Sequence, residues 1–395
     1  MIISSLPRSA TDASVYTGGA GIAYALIRVA ASSACMGGAI SMDEKSLLGH
    51  AQTAMKTCGG GDKRAAPSLL CGVAGNMLVH ALIEERAGRA RESEHLAAEY
   101  LKILDEALRN DSDEWLYGRA GYLQGLLTLR KLSSRQQDFD AAIRQVSARM
   151  VESGRQYASR CGTRCPLMYQ WYGEEYLGAA HGLIGIVHQL LMAREVLKDQ
   201  MNLEGWEEVL VKSLDYIIAC RFDSGNYPAL HFCHGAPGAV FMFLAAFRAF
   251  PSHERYGRFA LVYRDVCQAG DCVWEYGLLK KVPTRQIGRE GPGLCHGVAG
   301  NGYCFLALYR DDPDTEKKGE WLHRAVEFAE FMREEGERNE RWLLKPDNPY
   351  SLFEGLGGAV CFLADLVGVL QSQIETSSDL DHHVPSFPLF ETPLS

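Results

Sequence analysis

The sequence predicts an all-α fold, an α/α toroid in which seven inner helices are surrounded by six or seven outer ones. A Gly-x-x-Gly pattern occurs seven times, at intervals of roughly 46 to 64 residues, which is typical of a stacked or closed array of similar units. Each copy opens an apolar run, and charged segments separate the runs, while strand-like alternation is almost absent. The seven copies are residues 18–21, 72–75, 118–121, 182–185, 235–238, 297–300 and 355–358.

The apolar segments that begin at these glycines are predicted inner helices, because a helix that is apolar all round is a buried one. The first runs from about Gly18 to Ala31. Glycine at each start lets the loops crowd near the ring axis and lets backbone N–H groups face a central cavity. The charged segments have one apolar face each and are predicted outer helices, at about residues 43–55, 92–108, 136–157, 206–218, 255–276 and 315–334.

The repeats also decide the domain organisation. A length of 395 residues alone would suggest two or three domains. The evenly spaced copies instead favour one continuous repeat domain, from residue 16 to residue 372. Residues 1–15 are predicted to be an irregular N-terminal segment, and residues 373–395 a C-terminal tail.

Composition excludes several classes of protein. A net charge of −9 argues against nucleic acid as a partner, since a phosphate-binding surface needs a basic stripe. There is no run of about 18 uninterrupted apolar residues and no signal peptide pattern, so we expect a cytoplasmic protein without a transmembrane segment. Peripheral membrane association stays open. Several of the 12 cysteines lie in apolar runs, as small buried side chains do in a reducing compartment.

Two repeats carry residues typical of metal sites immediately before the first glycine. Cys233-His234 precedes Gly235, and Cys295-His296 precedes Gly297. The start of a helix stabilises a thiolate, the form that binds metal. Two Cys and one His would leave one zinc position open, as in catalytic zinc sites. Spacing does not decide whether His234 or His296 is the ligand, and buried Cys-His pairs without metal are the alternative.

Other repeats place titratable groups at similar points. His181 precedes Gly182 and is a candidate general acid or base, although a lone His more often only forms a structural hydrogen bond. Arg119 lies inside the third repeat, and Glu114 lies shortly before it. These two charged groups are candidates to orient a substrate, or they pair with each other.

A glycosidase is a further alternative, since α/α toroids also host enzymes that need two carboxylates across a sugar-binding cleft. Candidates are Glu174, Glu175 and Glu354. The simpler interpretation is that these carboxylates are solvated or cap helices.

The motifs resemble those of the eukaryotic lanthionine synthetase C-like (LanC-like) proteins, over nearly the whole chain from Tyr16. Two features, Gly173-x-Glu175-Tyr176-Leu177-Gly178 and Gly291-Pro292-Gly293, are most similar to the LanC-like protein 3 branch. The segments that carry the resemblance are residues 117–121, 166–169, 178–182, 233–238, 291–297, 351–355 and 387–390.

This resemblance implies a ring of seven inner and seven outer helices. It also implies one zinc ion held by Cys233, Cys295 and His296, which makes His234 a neighbour of the site, and it implies that His181 is the acid/base. The eukaryotic members bind glutathione and are thought to add its thiol to dehydroamino acids in proteins. Zinc would lower the pKa of that thiol, and His181 would protonate the enolate that forms.

Three departures from the family pattern are visible. Bacterial cyclases have Arg and Trp where this chain has Ala229 and Phe232, which argues against lanthipeptide cyclisation. Lys281 matches a lysine of the glutathione-binding members, but an insertion around residues 282–290 separates it from Gly291. The chain begins almost at the first inner helix, so the ring has only six predicted outer helices, and an unfilled position would expose apolar surface.

The sequence therefore predicts a zinc-dependent enzyme that adds glutathione to dehydroamino acids in peptides or proteins. The alternative from another class is a non-enzymatic regulatory protein that binds zinc and glutathione or a peptide. We expect a monomer in either case.

Overall fold

The described structure is mainly helical. The computed structural model describes residues 12–32, 42–58, 62, 65–198, 205–254, 256, 259–277, 291–374 and 385–391. No β-strand occurs in these ranges, which contain only isolated bridges. In chain order the helices are α1 (Gly19–Ser32), α2 (Glu44–Thr57), α3 (Val73–Arg86), α4 (Ala90–Lys102), α5 (Leu104–Arg109), α6 (Arg119–Leu132), α7 (Gln136–Cys161), α8 (Leu183–Met192), α9 (Arg194–Leu197), α10 (Trp206–Ala219), α11 (Ala236–Ala249), α12 (Phe259–Gly277), α13 (Val298–Asp311), α14 (Thr315–Arg338), α15 (Glu340–Leu343) and α16 (Leu356–Ile374).

The seven glycine-led helices form a closed inner ring. Helices α1, α3, α6, α8, α11, α13 and α16 each contact the next one in this order, and α16 contacts α1. Six outer helices in the described ranges, α2, α4, α7, α10, α12 and α14, each pack against the inner helix that precedes them. The predicted α/α toroid is therefore confirmed, and the inner helices are almost wholly buried because they have neighbours on all sides.

The second glycine of the pattern allows the loop before each inner helix to pack against the first turn of that helix. A Cβ atom at Gly185 would lie 1.9 Å from the carbonyl oxygen of Ala179, and one at Gly300 would lie 1.9 Å from that of Leu294. No side chain fits at such a distance. The glycine pattern is thus a requirement of close backbone packing at the helix start.

Hydrogen bonds join the seven loops into a circle at this end of the ring. In most repeats, the residue two positions before the first glycine forms the link. Its backbone N–H donates to the backbone carbonyl oxygen of the equivalent residue in a neighbouring repeat. The links are Trp115 N to Ala180 O (3.1 Å), Ala180 N to Cys233 O (3.1 Å), Cys233 N to Cys295 O (3.2 Å), Cys295 N to Phe353 O (2.8 Å), Phe353 N to Tyr16 O (3.2 Å), Tyr16 N to Leu70 O (2.9 Å) and Ser68 Oγ to Leu116 O (2.8 Å). We call this circle the loop girdle.

Part of the expected C-terminal tail lies inside the ring. Phe387 and Phe390 are fully buried, and the Phe390 ring lies 5.0 Å from that of Trp115. Gln189 Nε2 donates to the carbonyl oxygen of Phe390 at 2.9 Å. Residues 385–391, which we call the plug, therefore fill the interior beneath the loop girdle.

A buried ion pair anchors the end of the plug. The Glu391 carboxylate accepts hydrogen bonds from Arg310 at 2.8 and 3.1 Å, and Arg248 lies 3.5 Å away. Burial raises the pKa of Glu391, but the charges and hydrogen bonds of Arg310 and Arg248 outweigh burial and lower it to about 2. The carboxylate is thus ionised and paired in the folded state.

The sector between α16 and α1 contains no outer helix among the described residues. The outward stripe of α16, with Val360, Leu363 and Val367, is only partly covered, and Leu363 is 37% exposed. By length and composition, Leu356–Gln373 would also suffice to cross a membrane, with a mean hydropathy of 1.3. However, 56% of this stretch is buried, and a core helix of a folded ring passes the same test.

We predict that Gly300→Ala destabilises the protein by about 1 to 3 kcal/mol, because the new methyl group forces the Leu294 loop away from α13. Gly319→Ala is the matched control. Gly319 lies on the exposed side of α14 with no atom near its Cβ position, and we expect a gain of about 0.5 to 1 kcal/mol. Urea unfolding measures both, and equal effects would contradict the close packing.

We also predict an acid-sensitive contribution from Glu391. Its pKa falls from 4.5 to about 2 on folding, so its stabilisation is present above about pH 5 and is lost as the pH falls towards about 2. The loss is about 3 kcal/mol. Glu391→Gln should be less stable at neutral pH and should lose less stability in that window.

The control for this experiment is Glu337→Gln, which removes an exposed carboxylate from a surface ion pair with Arg333. Urea unfolding across the pH range should give this variant the wild-type profile. If Glu391→Gln also keeps the wild-type profile, the buried ion pair does not anchor the plug.

Candidate metal centre

A cavity of about 590 Å³ opens at the end of the ring where the inner helices begin. Residues one or two positions before the first glycines supply most of its lining, together with Trp171 and His231 from longer loops. The loop girdle places these positions side by side. Residues that are far apart in sequence therefore meet at one cavity because they occupy equivalent points of the repeat.

Cys233, Cys295 and His296 come together at this cavity. The two thiols and one imidazole nitrogen lie within 4.8 Å of one another. Both cysteines are buried, and His296 is half-buried. The girdle bond from Cys233 N to Cys295 O fixes the two cysteine backbones next to each other. His296 follows Cys295 directly and points to the same place.

The electrostatics of this cluster favour a thiolate at Cys295. Hydrogen bonding to Cys233 lowers the pKa of the Cys295 thiol well below its ordinary value, and hydrogen bonds from His296 and Tyr16 act in the same direction. Burial opposes these effects. Cys71, at the rim position of the second repeat, is different, because burial raises its pKa to about 11.

The cluster fits a zinc ion. Tetrahedral zinc with bonds of roughly 2.0 to 2.3 Å needs donor atoms roughly 3.3 to 3.8 Å apart, which small side-chain movements from the present cluster would reach. Two thiol sulfurs and one imidazole nitrogen are donors that zinc prefers, and one of these thiols is already biased towards its thiolate. Three protein ligands leave a fourth position open to the cavity.

The structure separates the two histidines that spacing left equivalent. His296 lies in the cluster with the cysteines. His234 is not part of that group; its ring lies 6.1 Å from that of His181 and 5.8 Å from that of Tyr176. Burial, and then the charge of His181, lowers the pKa of His234.

His181 is held by a buried carboxylate. Its Nδ1 lies 2.6 Å from Oε2 of Glu114, whose side chain is 2% exposed. The same carboxylate accepts from the backbone amides of Leu116 and Tyr117, just before α6. The carboxylate oxygen accepts a hydrogen bond from Nδ1–H, so we assign the tautomer that leaves Nε2 of His181 free for a ligand.

Trp171 covers the His181 ring. The two rings are parallel within 7°, and their centroids are 3.9 Å apart. Glu114 holds the edge of the imidazole, while Trp171 holds its face. The ring therefore has a fixed position at the wall of the cavity.

The remaining predicted residues lie elsewhere. Arg119 is 1% exposed; it donates from Nε to Asp113 at 2.6 Å and from Nη1 to the backbone of Asn110, so its guanidinium holds the loop before α6 and does not pair with Glu114. Lys281 lies outside the described residues.

The carboxylates of the glycosidase alternative do not line the cavity. Glu174 and Glu175 are exposed, and Glu354 accepts a hydrogen bond from Asn348 at 3.0 Å. The described lining of the cavity contains no carboxylate side chain, so it does not support a glycosidase.

Three residues of the cavity were missed from the sequence. Tyr16 occupies the repeat position of Cys233 and Cys295, so aligning the repeats would have found it. Its hydroxyl bonds to Cys295, and burial, followed by the charge of Cys295, raises its pKa. His231 bonds through Nδ1 to the backbone oxygen of His296 at 3.0 Å. His231 and Trp171 lie outside the repeat pattern and gave no signal.

The chain is similar to known proteins in sequence and in fold. The family described as lanthionine synthetase C-like protein matches residues 9–375. Glutathione S-transferase LANCL1 of Danio rerio is 36% identical over 317 residues, which cover 76% of this chain and 71% of that protein. The structure of nisin cyclase aligns with a TM-score of 0.58 over 92% of this chain and 90% of its own. Its sequence identity is 18%, so this likeness concerns the fold alone.

We predict one zinc ion per chain in the purified protein, and its loss in Cys295→Ala, because the variant removes one of three donors. Cys71→Ala is the matched control, since it removes a half-buried cysteine at the same rim that is held as a thiol. Elemental analysis gives the stoichiometry. A folded wild-type protein without zinc would contradict the metal centre.

Proposed function

Because the chain belongs to the lanthionine synthetase C-like family, we propose that it adds the thiol of glutathione to dehydroamino acids in peptides or proteins. Placement in the LanC-like protein 3 branch stays a prediction. One observation carries the proposal. A Cys-Cys-His cluster and a histidine held by Glu114 line the same cavity.

Cys233, Cys295 and His296 would hold the zinc ion. Bound there, zinc would supply a Lewis acid with one open position, which lowers the pKa of a thiol. Glutathione is inferred from the name of the relative that shares 36% of its aligned residues. Lys281, the lysine expected to contact glutathione, lies outside the described residues.

His181 acts first as the general base and then as the general acid of the reaction. As a neutral imidazole its free Nε2 accepts the proton that the thiol releases. The sulfur then forms a bond to the β-carbon of the dehydroamino acid, and the double-bond electrons move to the α-carbon and its carbonyl. His181 returns the proton to the α-carbon. A thiol is added across a double bond, so no oxidant or leaving group is needed.

Glu114 and Trp171 are positioning residues in this scheme. The Glu114 carboxylate fixes the tautomer of His181 and stabilises the imidazolium that forms between the two proton transfers. The face of Trp171 also favours a cation, because an aromatic face carries partial negative charge. Both groups therefore assist the same proton transfer without contacting the sulfur.

Two departures from the bacterial cyclases lie in the described residues. Phe232, where bacterial cyclases have Trp, is buried and stacks on Phe387 of the plug at 4.1 Å. Ala229, where they have Arg, offers no charged group to the cavity. That the chain does not cyclise lanthipeptides stays a prediction.

We predict that His181→Asn lowers the rate of glutathione addition by about 10²- to 10⁴-fold while zinc stays bound, since only the proton transfer is affected. Glu114→Gln should give a smaller loss, because the amide oxygen still accepts the Nδ1 hydrogen bond. Mass spectrometry of a dehydroalanine peptide incubated with glutathione measures the adduct.

His323→Asn is the control for this experiment, because it changes an exposed histidine on α14. Wild-type protein that binds zinc and glutathione but gives no adduct would contradict the enzyme. That result would instead support the alternative, a zinc- and glutathione-binding regulatory protein.

A further inference from the structure

An aromatic surface leads from His181 to the outside of the protein. Trp171 stacks on His181, and Tyr117 stacks on Trp171 with a centroid distance of 6.1 Å and an angle of 9°. The Tyr172 ring meets Trp171 edge-on at 4.6 Å. We call Tyr117, Trp171 and Tyr172 the aromatic shelf. It is continuous with the candidate site and begins at its proton donor.

The outer part of the shelf is open to solvent. Tyr172 is 88% exposed and Tyr117 is 38% exposed. A single exposed apolar ring is common and needs no explanation. Here two exposed rings and a half-buried one form a connected patch beside a catalytic candidate, which is the kind of patch that marks a binding surface.

The backbone of Tyr172 is in an unfavourable conformation. Trp171 and Glu174 exchange backbone hydrogen bonds of 2.9 and 3.1 Å, so Tyr172 and Gly173 are the two central residues of a tight turn. Their φ angles are 50° and 84°. Glycine and asparagine adopt this left-handed region readily, whereas a bulky residue there is an outlier.

Packing does not account for a tyrosine at this position. Leu389 is the other described non-glycine residue with positive φ, and it is buried in the plug, where contacts hold it. Tyr172 is almost fully exposed, and its ring touches only the edge-on neighbour Trp171 among the described aromatic rings. A strained residue without internal compensation is a reason to look for a function at that point.

We propose that the aromatic shelf binds the acceptor polypeptide, by holding an aromatic or long apolar side chain that flanks the dehydroamino acid. This inference rests on the proposed function, since it assumes that the reacting residue lies at His181. An extended peptide advances about 3.3 Å per residue, so the next one or two residues of the acceptor lie over Trp171 and Tyr172. The shelf thereby selects acceptors by their neighbours.

The test uses a peptide that cannot react. Two fluorescein-labelled peptides carry alanine in place of the dehydroamino acid, one with flanking phenylalanines and one with flanking glycines. Fluorescence anisotropy with the full-length protein gives their dissociation constants. We expect the phenylalanine peptide to bind about five- to ten-fold more tightly, as stacking on exposed rings would give.

Tyr172→Gly separates a binding role from a structural one. It should remove the preference for the phenylalanine peptide and leave the glycine peptide unchanged. It should also raise the melting temperature, because glycine relieves the turn. Tyr172→Phe keeps the ring and should keep the preference. Leu363→Ala, which removes an exposed apolar side chain from the outer wall, should change neither peptide.

Either of two results would overturn the proposal. These are equal affinity of wild-type protein for both peptides, or an unchanged preference in Tyr172→Gly. Peptide binding is measured in the absence of glutathione, so it does not depend on the reaction. If the protein prefers the phenylalanine peptide but forms no glutathione adduct, only the enzymatic function is contradicted. Adduct formation without the preference would contradict the shelf alone.

Discussion

The loop girdle is the interaction on which the rest of the structure depends. Each loop is extended as it enters an inner helix, and its backbone groups are buried, so they need partners. They find them in the neighbouring repeat, where the equivalent residue lies at the same height of the ring. One hydrogen bond per repeat thereby aligns all seven helix starts, and it brings Cys233 beside Cys295 although 61 residues separate them in sequence.

The chemistry of the cavity follows from this alignment. Seven helix N-termini face one end of the ring, and their aligned backbone dipoles favour negative charge there. The Glu114 carboxylate accepts hydrogen bonds from two backbone amides of the loop just before α6, and Cys295 lies in the loop just before α13. Both side chains thus lie at this end of the ring, in the loops that lead into inner helices.

The periodic part of the molecule could be predicted from the sequence. The inner helices begin within one residue of the predicted glycines, because the carbonyls that pack at positions such as Gly185 exclude any side chain. The Cys-Cys-His group was recognisable because its members occupy equivalent points of two repeats. Non-periodic contributions could not be predicted. Trp171 reaches His181 from a loop without a repeat counterpart, and only three-dimensional contacts distinguish His296 from His234.

The position of the plug has a consequence for how the chain folds. Open repeat proteins can nucleate at any repeat and grow outward, since each unit contacts only its neighbours. Here α16 must contact α1 to close the ring. The carbonyl oxygen of Phe390, near the end of the sequence, accepts a hydrogen bond from Gln189, which lies in the first half. These contacts have large sequence separations, which slow folding. The interior is completed by a segment that emerges from the ribosome after all seven inner helices, so the finished core has to be assembled after most of the chain has been synthesised.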